Sequence, residues 1–78
     1  MTMKVFTVVQ IIERDCDVNV WTADNAVKAI ALKNKLVFQF AKDYGIKFLE
    51  EKKEDNRYYC YMEGGHTDRQ IIIEKTEL

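Results

Sequence analysis

Proline is absent from this chain of 78 residues, and glycine occurs only three times. Runs rich in proline or glycine form the stiff and flexible linkers between domains, so the sequence offers no point at which to divide the chain. A chain this short also supports only one hydrophobic core. We therefore predict a single domain over residues 1–78.

Cysteine and long apolar runs are also scarce. The two cysteines, Cys16 and Cys60, are too few for a disulfide framework, and residues 1–9 lack the basic start and the cleavage site of a signal peptide. No apolar run approaches the roughly 18 residues that cross a bilayer. These absences predict a reducing, cytoplasmic setting without membrane association.

An excess of one charge sign is lacking as well, because 12 basic residues balance 13 acidic ones. Proteins that hold a nucleic-acid backbone normally carry a basic face, so a net charge of −1 makes nucleic acid an unfavoured partner. The hydrophobic share of 47% and the charged share of 32% are those of a folded protein, which argues against intrinsic disorder.

Motifs for catalysis, metal binding and nucleotide binding are missing too. The chain contains no Cys-x-x-Cys, His-x-x-x-His or Gly-x-Gly-x-x-Gly pattern, and Cys16 and Asp68 add no metal-ligand spacing. Cys60 and His66 could act as a nucleophile and its base only within hydrogen-bonding reach. His66 falls in a predicted turn, and Cys60 fits a buried apolar role better. We predict a non-enzymatic protein that needs no cofactor or metal.

The residues that are present predict strands around one helix. Residues 5–12, VFTVVQII, are rich in β-branched side chains and apolar on both sides, which is typical of a central strand. Residues 13–17 form a polar turn, and residues 18–21 predict a short strand that returns antiparallel to the first.

The helix predicted next starts at Ala26 and stops at Gly45, because glycine accepts the left-handed conformation that follows a last helical turn. Thr22 or Asp24 is its expected cap. The apolar residues of the helix form a wide arc. Its expected central stripe comprises Ala26, Ile30, Val37, Ala41 and Tyr44, flanked by Ala29, Leu36 and Phe40 on one side and by Val27 and Phe38 on the other.

Residues 46–51, 57–63 and 69–75 predict three further strands, the last two joined by a turn at Gly64 and Gly65. The order ββαβββ places the chain in the α+β class, with a single helix packed on one face of a predominantly antiparallel sheet.

The strand at residues 57–63, RYYCYME, points to a binding surface. Side chains alternate along a strand, so Tyr59 and Tyr61 face one side and Tyr58 the other, and only one set meets the helix. Tyrosine is enriched in binding surfaces because it joins apolar area to a hydroxyl group. We predict a partner-binding patch of Tyr59, Tyr61 and Ile72 with Arg57 at its rim, and with Tyr58 replacing the other two tyrosines if the strand faces the opposite way.

The same strand partly resembles the stacking motif of RNA-recognition motifs, through a basic residue followed by aromatic residues two positions apart. It lacks the glycine that follows the basic residue in that motif, and Gly64 stands where the motif has its last aromatic residue. The resemblance implies an alternative function, which is binding of single-stranded nucleic acid by the sheet tyrosines with help from the helix lysines Lys28, Lys33, Lys35 and Lys42.

Residues 18–30, VNVWTADNAVKAI, resemble the strand-into-helix segment of small phage and plasmid proteins such as the DpnD/PcfM-like family. The resemblance transfers no catalytic residue. It implies an accessory protein of a mobile element and, by analogy, an anti-CRISPR-like inhibitor that occludes the surface of a defence protein in the host cytoplasm.

A single helix shields only one face of a sheet. Apolar side chains left in water on the other face forfeit about 1.5–3 kcal/mol each relative to burial, which favours association when they are contiguous. We therefore predict a protein-binding module. Its partner is another protein, or a second copy of the chain stacked on its sheet or joined along an edge.

Overall fold

The computed structural model describes residues 3–12 and 17–77. In chain order these residues form β1 (Lys4–Ile12), β2 (Asp17–Ala23), α1 (Ala26–Tyr44), β3 (Phe48–Lys53), β4 (Arg57–Gly64) and β5 (Thr67–Glu77). The α+β class, the helix and the order ββαβββ predicted from the sequence are confirmed. Most of the polar turn predicted at residues 13–17 lies outside the described residues.

The five strands form one antiparallel sheet with the order β2-β1-β5-β4-β3. β5 lies at the centre, because the chain places its last strand between the two hairpins β1–β2 and β3–β4. β2 and β3 are left as the two edges. The prediction that β2 returns antiparallel to β1 is confirmed.

The helix begins one residue after Asn25, and neither Thr22 nor Asp24 caps it as we expected. The Asn25 side chain accepts a hydrogen bond from the backbone N–H of Lys28 at 2.9 Å. Thr22 still belongs to β2, which continues to Ala23, and the Asp24 carboxylate instead pairs with the Lys28 ammonium at 3.0 Å. At the other end Gly45 stops the helix as predicted, with φ of 71° and its N–H bonded to the carbonyl of Ala41 at 2.9 Å.

The hydrophobic core lies between α1 and one face of the sheet, which we call the core face. The sheet contributes Val8, Cys60, Met62, Ile71 and Ile73 to the core, and the helix contributes Ala29, Leu36 and Phe40.

The buried side of the helix differs from the stripe that we expected to be central. Ala29, Leu36 and Phe40 were expected on a flank but carry the contact, whereas Ile30 is half-exposed and Phe38 is 69% exposed. Ala29 has a small side chain and therefore allows the first turns of the helix close to the sheet. Leu36 and Phe40, one turn apart, fill the space beneath the later turns.

Gly64 holds the end of α1 close to β4. A Cβ atom at this position would collide with the Gly45 carbonyl oxygen and press on the Phe40 ring, so a larger residue would push the helix end away from the sheet. Within residues 3–12 and 17–77, no helix combines the length and the apolarity needed to cross a membrane.

Candidate functional site: the sheet face opposite the helix

The register of the sheet places four apolar side chains in one row on the face turned away from α1, which we call the open face. Val20 of β2 lies opposite Val9 of β1, Val9 lies opposite Ile72 of β5, and Ile72 lies opposite Tyr59 of β4. Their chain neighbours Val8, Cys60 and Ile71 are buried in the core. Because side chains alternate along a strand, the four residues of the row point the opposite way.

A second row runs beside the first and is more polar. It consists of Val18, Ile11, Gln70 and Tyr61, in the strand order β2, β1, β5, β4. Val18 and Val20, at the edge, are 60% and 59% exposed, and the other residues of the two rows are partly buried by their neighbours. Among the described elements, no second layer packs on this face.

Tyr61 is held in place by carboxylates at one end of the open face. Its hydroxyl donates a hydrogen bond to Glu63 Oε1 at 2.6 Å and lies 3.2 Å from Asp68 Oδ2. The hydrogen bond to Glu63 and then burial raise the pKa of Tyr61 above its ordinary value. The ring of Phe48 meets the Tyr61 ring edge-on at 6.2 Å between centroids. The tyrosine therefore presents its ring in a fixed orientation.

Ion pairs border the row that ends at Tyr59. Arg57 lies 3.8 Å from Glu74, and Lys52 lies 4.0 Å from Glu50. Lys52 and Arg57 flank Tyr59 in a polar notch of about 240 Å³. Exposed ion pairs of this kind contribute little to stability, so the charges remain available to a partner. Arg57 thus lies beside Tyr59 on the open face, and its role at the rim of a partner-binding patch stays a prediction.

Tyr58 points to the core face, so it does not take the place of Tyr59 and Tyr61 on the open face. The Lys33 ammonium lies 5.1 Å from the centre of its ring. The Tyr58 hydroxyl is buried and has no hydrogen-bond partner in the described part of the chain. Burial, and after it the neighbouring Cys60 thiol and Glu51 carboxylate, raise the pKa of Tyr58.

The lysines named for nucleic-acid binding lie on the opposite side of the sheet from Tyr59 and Tyr61, and one of them, Lys33, contacts the core-face Tyr58 instead. Lys28, Lys33, Lys35 and Lys42 belong to α1, which covers the core face. The open face itself holds more acid than base. By strand register its charged residues are Glu50, Glu63, Asp68 and Glu74 against Lys52 and Arg57.

The residues considered for catalysis and metal binding are also separated. Cys60 is fully buried beneath the helix, where burial raises the pKa of its thiol, while His66 is exposed in the β4–β5 turn. The described residues contain no group of three or more His, Cys, Asp or Glu side chains that could hold a metal. Cys16 lies outside the described residues.

Comparison with known proteins provides no relative, since no protein family, no curated protein and no solved structure matches this chain. The resemblance to phage and plasmid proteins therefore stays a prediction.

Val18 and Val20 are members of the open face that the sequence analysis did not name. Their alternation with Asn19 and Trp21 indicates that the two valines share one side of the strand. Only the register of β2 on β1 shows that this side is the face with Tyr59.

Proposed function

We propose that this chain is a non-enzymatic protein-binding module that uses the open face to hold another protein. One observation carries the proposal, namely the contiguous row Val20, Val9, Ile72 and Tyr59, which crosses four of the five strands. Contiguous apolar surface rimmed by polar side chains is typical of protein interaction sites.

The energetics indicate how large the partner surface has to be. Burying a fully exposed side chain of this size contributes about 1.5–3 kcal/mol, whereas association costs about 4–15 kcal/mol in lost freedom. Val9, Ile72 and Tyr59 are already partly buried, so the first row alone does not offset that cost. A stable complex therefore also has to engage the second row, including Tyr61, and the rim around Arg57.

The resemblance to phage and plasmid proteins extends this proposal to a defence protein of the host as the partner. Binding across the open face would block the partner by occluding its surface. The charges of the open face support a protein over single-stranded nucleic acid, because carboxylates outnumber cations around the tyrosines and repel a phosphate backbone.

A capture experiment with matched variants tests the proposal. The chain is immobilised and exposed to bacterial lysate, and the retained proteins are identified by mass spectrometry. Tyr59→Ala with Tyr61→Ala should abolish retention of the specific partner, while Phe38→Ala should leave it unchanged. Phe38 is a suitable control because it is an exposed aromatic residue on the outer side of the helix.

Two further measurements decide how that result is interpreted. The circular-dichroism melt of the double tyrosine variant should stay nearly unchanged from that of the wild type, and a collapse of the fold would mean that the tyrosines serve the core instead. Raising the salt concentration should lower retention only modestly, because the apolar rows respond weakly to salt and charged side chains stand only at the rim. A steep loss would indicate nucleic acid as the ligand and contradict the proposal.

A further inference from the structure

The two edge strands of the sheet differ in how well they are protected against pairing with another strand. β3, FLEEKK, has four charged residues out of six, and all six are exposed. β2, DVNVWTA, has Asp17 as its only charged residue and contains no lysine or proline. Natural sheets protect their edges with charges, prolines or bulges. β2 is therefore the edge that is open to pairing.

The backbone of β2 agrees with this comparison. Its ladder with β1 accounts for the groups that face the sheet, and among the described residues no turn, loop or cap makes a further backbone hydrogen bond to residues 17–23. The N–H and C=O groups along its outer side are thus positioned to bond to an added strand.

Two-fold symmetry provides a test of which edge can pair with itself. When two identical strands pair antiparallel about a two-fold axis normal to the sheet, the residue on the axis faces its own copy. The central residue of β2 is Val20, so the self-pairing is apolar. The two central residues of β3 are Glu50 and Glu51, and either would place two carboxylates directly opposite each other.

The register centred on Val20 is favourable along the whole strand. It places Val18 opposite Thr22, Asn19 opposite Trp21, and Asp17 opposite Ala23 of the second copy. No pair in this register brings like charges together. The side chains of Val18 and Val20 are among the most exposed apolar side chains on the open face, and in this register they would pack against the other copy.

From these observations we infer that two copies of the chain pair antiparallel through β2, with the two-fold axis at Val20. The pairing joins the two sheets into one of ten strands and keeps both helices on the same side. The two apolar rows then meet at Val20 and form one row from Tyr59 to the partner's Tyr59. With strands about 4.8 Å apart, that row extends over about 34 Å.

The inference deepens the proposed function by naming a second copy as one partner, and it rests on the proposed function only for the use of the enlarged face. Light scattering coupled to size exclusion, over a series of concentrations, tests the pairing. We expect the mass to approach twice the 9.2-kDa mass of the chain at the higher concentrations. A mass that stays at one chain throughout would overturn the inference.

Matched lysine substitutions at the two edges identify the strand involved. Val20→Lys places two ammonium groups opposite each other, and it should raise the dissociation constant of the dimer at least about tenfold, which corresponds to a like-charge cost of about 1.4 kcal/mol. Phe48→Lys on the β3 edge, also on the open face and also exposed, should leave the mass unchanged. The opposite pattern would assign the dimer to β3 and overturn the inference.

Cross-linking tests the axis itself without relying on a destabilising change. In a Cys16→Ser background, Val20→Cys should form a disulfide-linked dimer under mild oxidation, because the two β carbons lie within about 5 Å in a paired ladder. Lys52→Cys on the other edge should not. Equal cross-linking at both positions would mean random collision and count against the pairing.

The outcomes also separate this inference from the proposed function. A chain that dimerises through β2 but captures no protein retains the inference and rejects the proposed function. A chain that captures its partner through Tyr59 and Tyr61 while remaining monomeric retains the proposed function and rejects the inference.

Discussion

Truncating two adjacent isoleucines of β5 should have very different consequences, because Ile71 and Ile72 point to opposite faces of the sheet. Ile71 is fully buried under α1 between Gln10 and Cys60. Replacing a buried isoleucine by alanine costs about 2–5 kcal/mol through lost burial and the cavity left behind. Ile72 lies on the open face between Val9 and Tyr59, where water can fill the space, so Ile72→Ala should cost about 1 kcal/mol or less.

Urea unfolding followed by circular dichroism measures this difference. A domain of 78 residues has a total stability of about 4–12 kcal/mol, so Ile71→Ala would consume a large part of it. With a urea dependence of about 1 kcal/mol per molar, the midpoint should fall by about 2 M or more for Ile71→Ala and by about 1 M or less for Ile72→Ala. Dilute samples keep association from contributing. Equal losses at the two positions would refute the assignment of Ile72 to an uncovered face.

Three further changes test local features of the fold by the same unfolding assay. Tyr58→Phe should be neutral or stabilise the protein by up to about 1 kcal/mol, because it removes a buried hydroxyl without a partner. Because the pKa of Tyr58 is raised in the folded protein, the unfolded chain ionises this hydroxyl first, so the wild type should lose stability as the pH rises above about 10. The variant lacks the hydroxyl and should lose less stability between about pH 8 and pH 11. A parallel loss in both proteins would contradict this. Gly64→Ala should destabilise the protein by at least about 1 kcal/mol through collision with Gly45, and an unchanged midpoint would show that the helix end is not held there. Asn25→Ala should cost about 1 kcal/mol by removing the helix cap. If Asp24→Ala destabilised the protein and Asn25→Ala did not, Asp24 would be the cap, as we expected from the sequence.

The order of elements could be predicted because its signals are local. A run of β-branched residues marks β1, and Gly45 stops the helix where the sequence places it. The residue that caps the helix could not be predicted in the same way, since the side chains of Thr22, Asp24 and Asn25 can all accept a hydrogen bond from a backbone N–H. Asn25 is the cap because β2 continues through Ala23 before the chain turns.

The side of each element that faces the core could not be predicted, because it depends on contacts distant in sequence. Alternation separates Tyr59 from Tyr58, and strand pairing puts Tyr59 on the same face as Ile72. Only the packing of α1 on the other face determines which of the two tyrosines meets the helix. The rotation of α1 has the same cause. A wide apolar arc fits the sheet in several rotations, and the one observed buries Ala29, Leu36 and Phe40.

The position of β2 at the edge of the sheet could likewise not be predicted from the sequence. A short strand with alternating valines is compatible with any position in a sheet. The strand order places β5 beside β1 and leaves β2 outermost. Only then do Val18 and Val20 become exposed members of the open face, and only then does the absence of protecting charge have a consequence.

Solvent paramagnetic relaxation of methyl groups tests most directly whether the open face is uncovered. A soluble gadolinium chelate broadens the methyl signals that water can reach. In dilute protein we expect strong broadening at Val20 and intermediate broadening at Ile72 and Val9, with Ile71 and Val8 protected. Protection of Ile72 equal to that of Ile71 in a dilute, monomeric sample would contradict the account, because that face would then be covered by the chain itself.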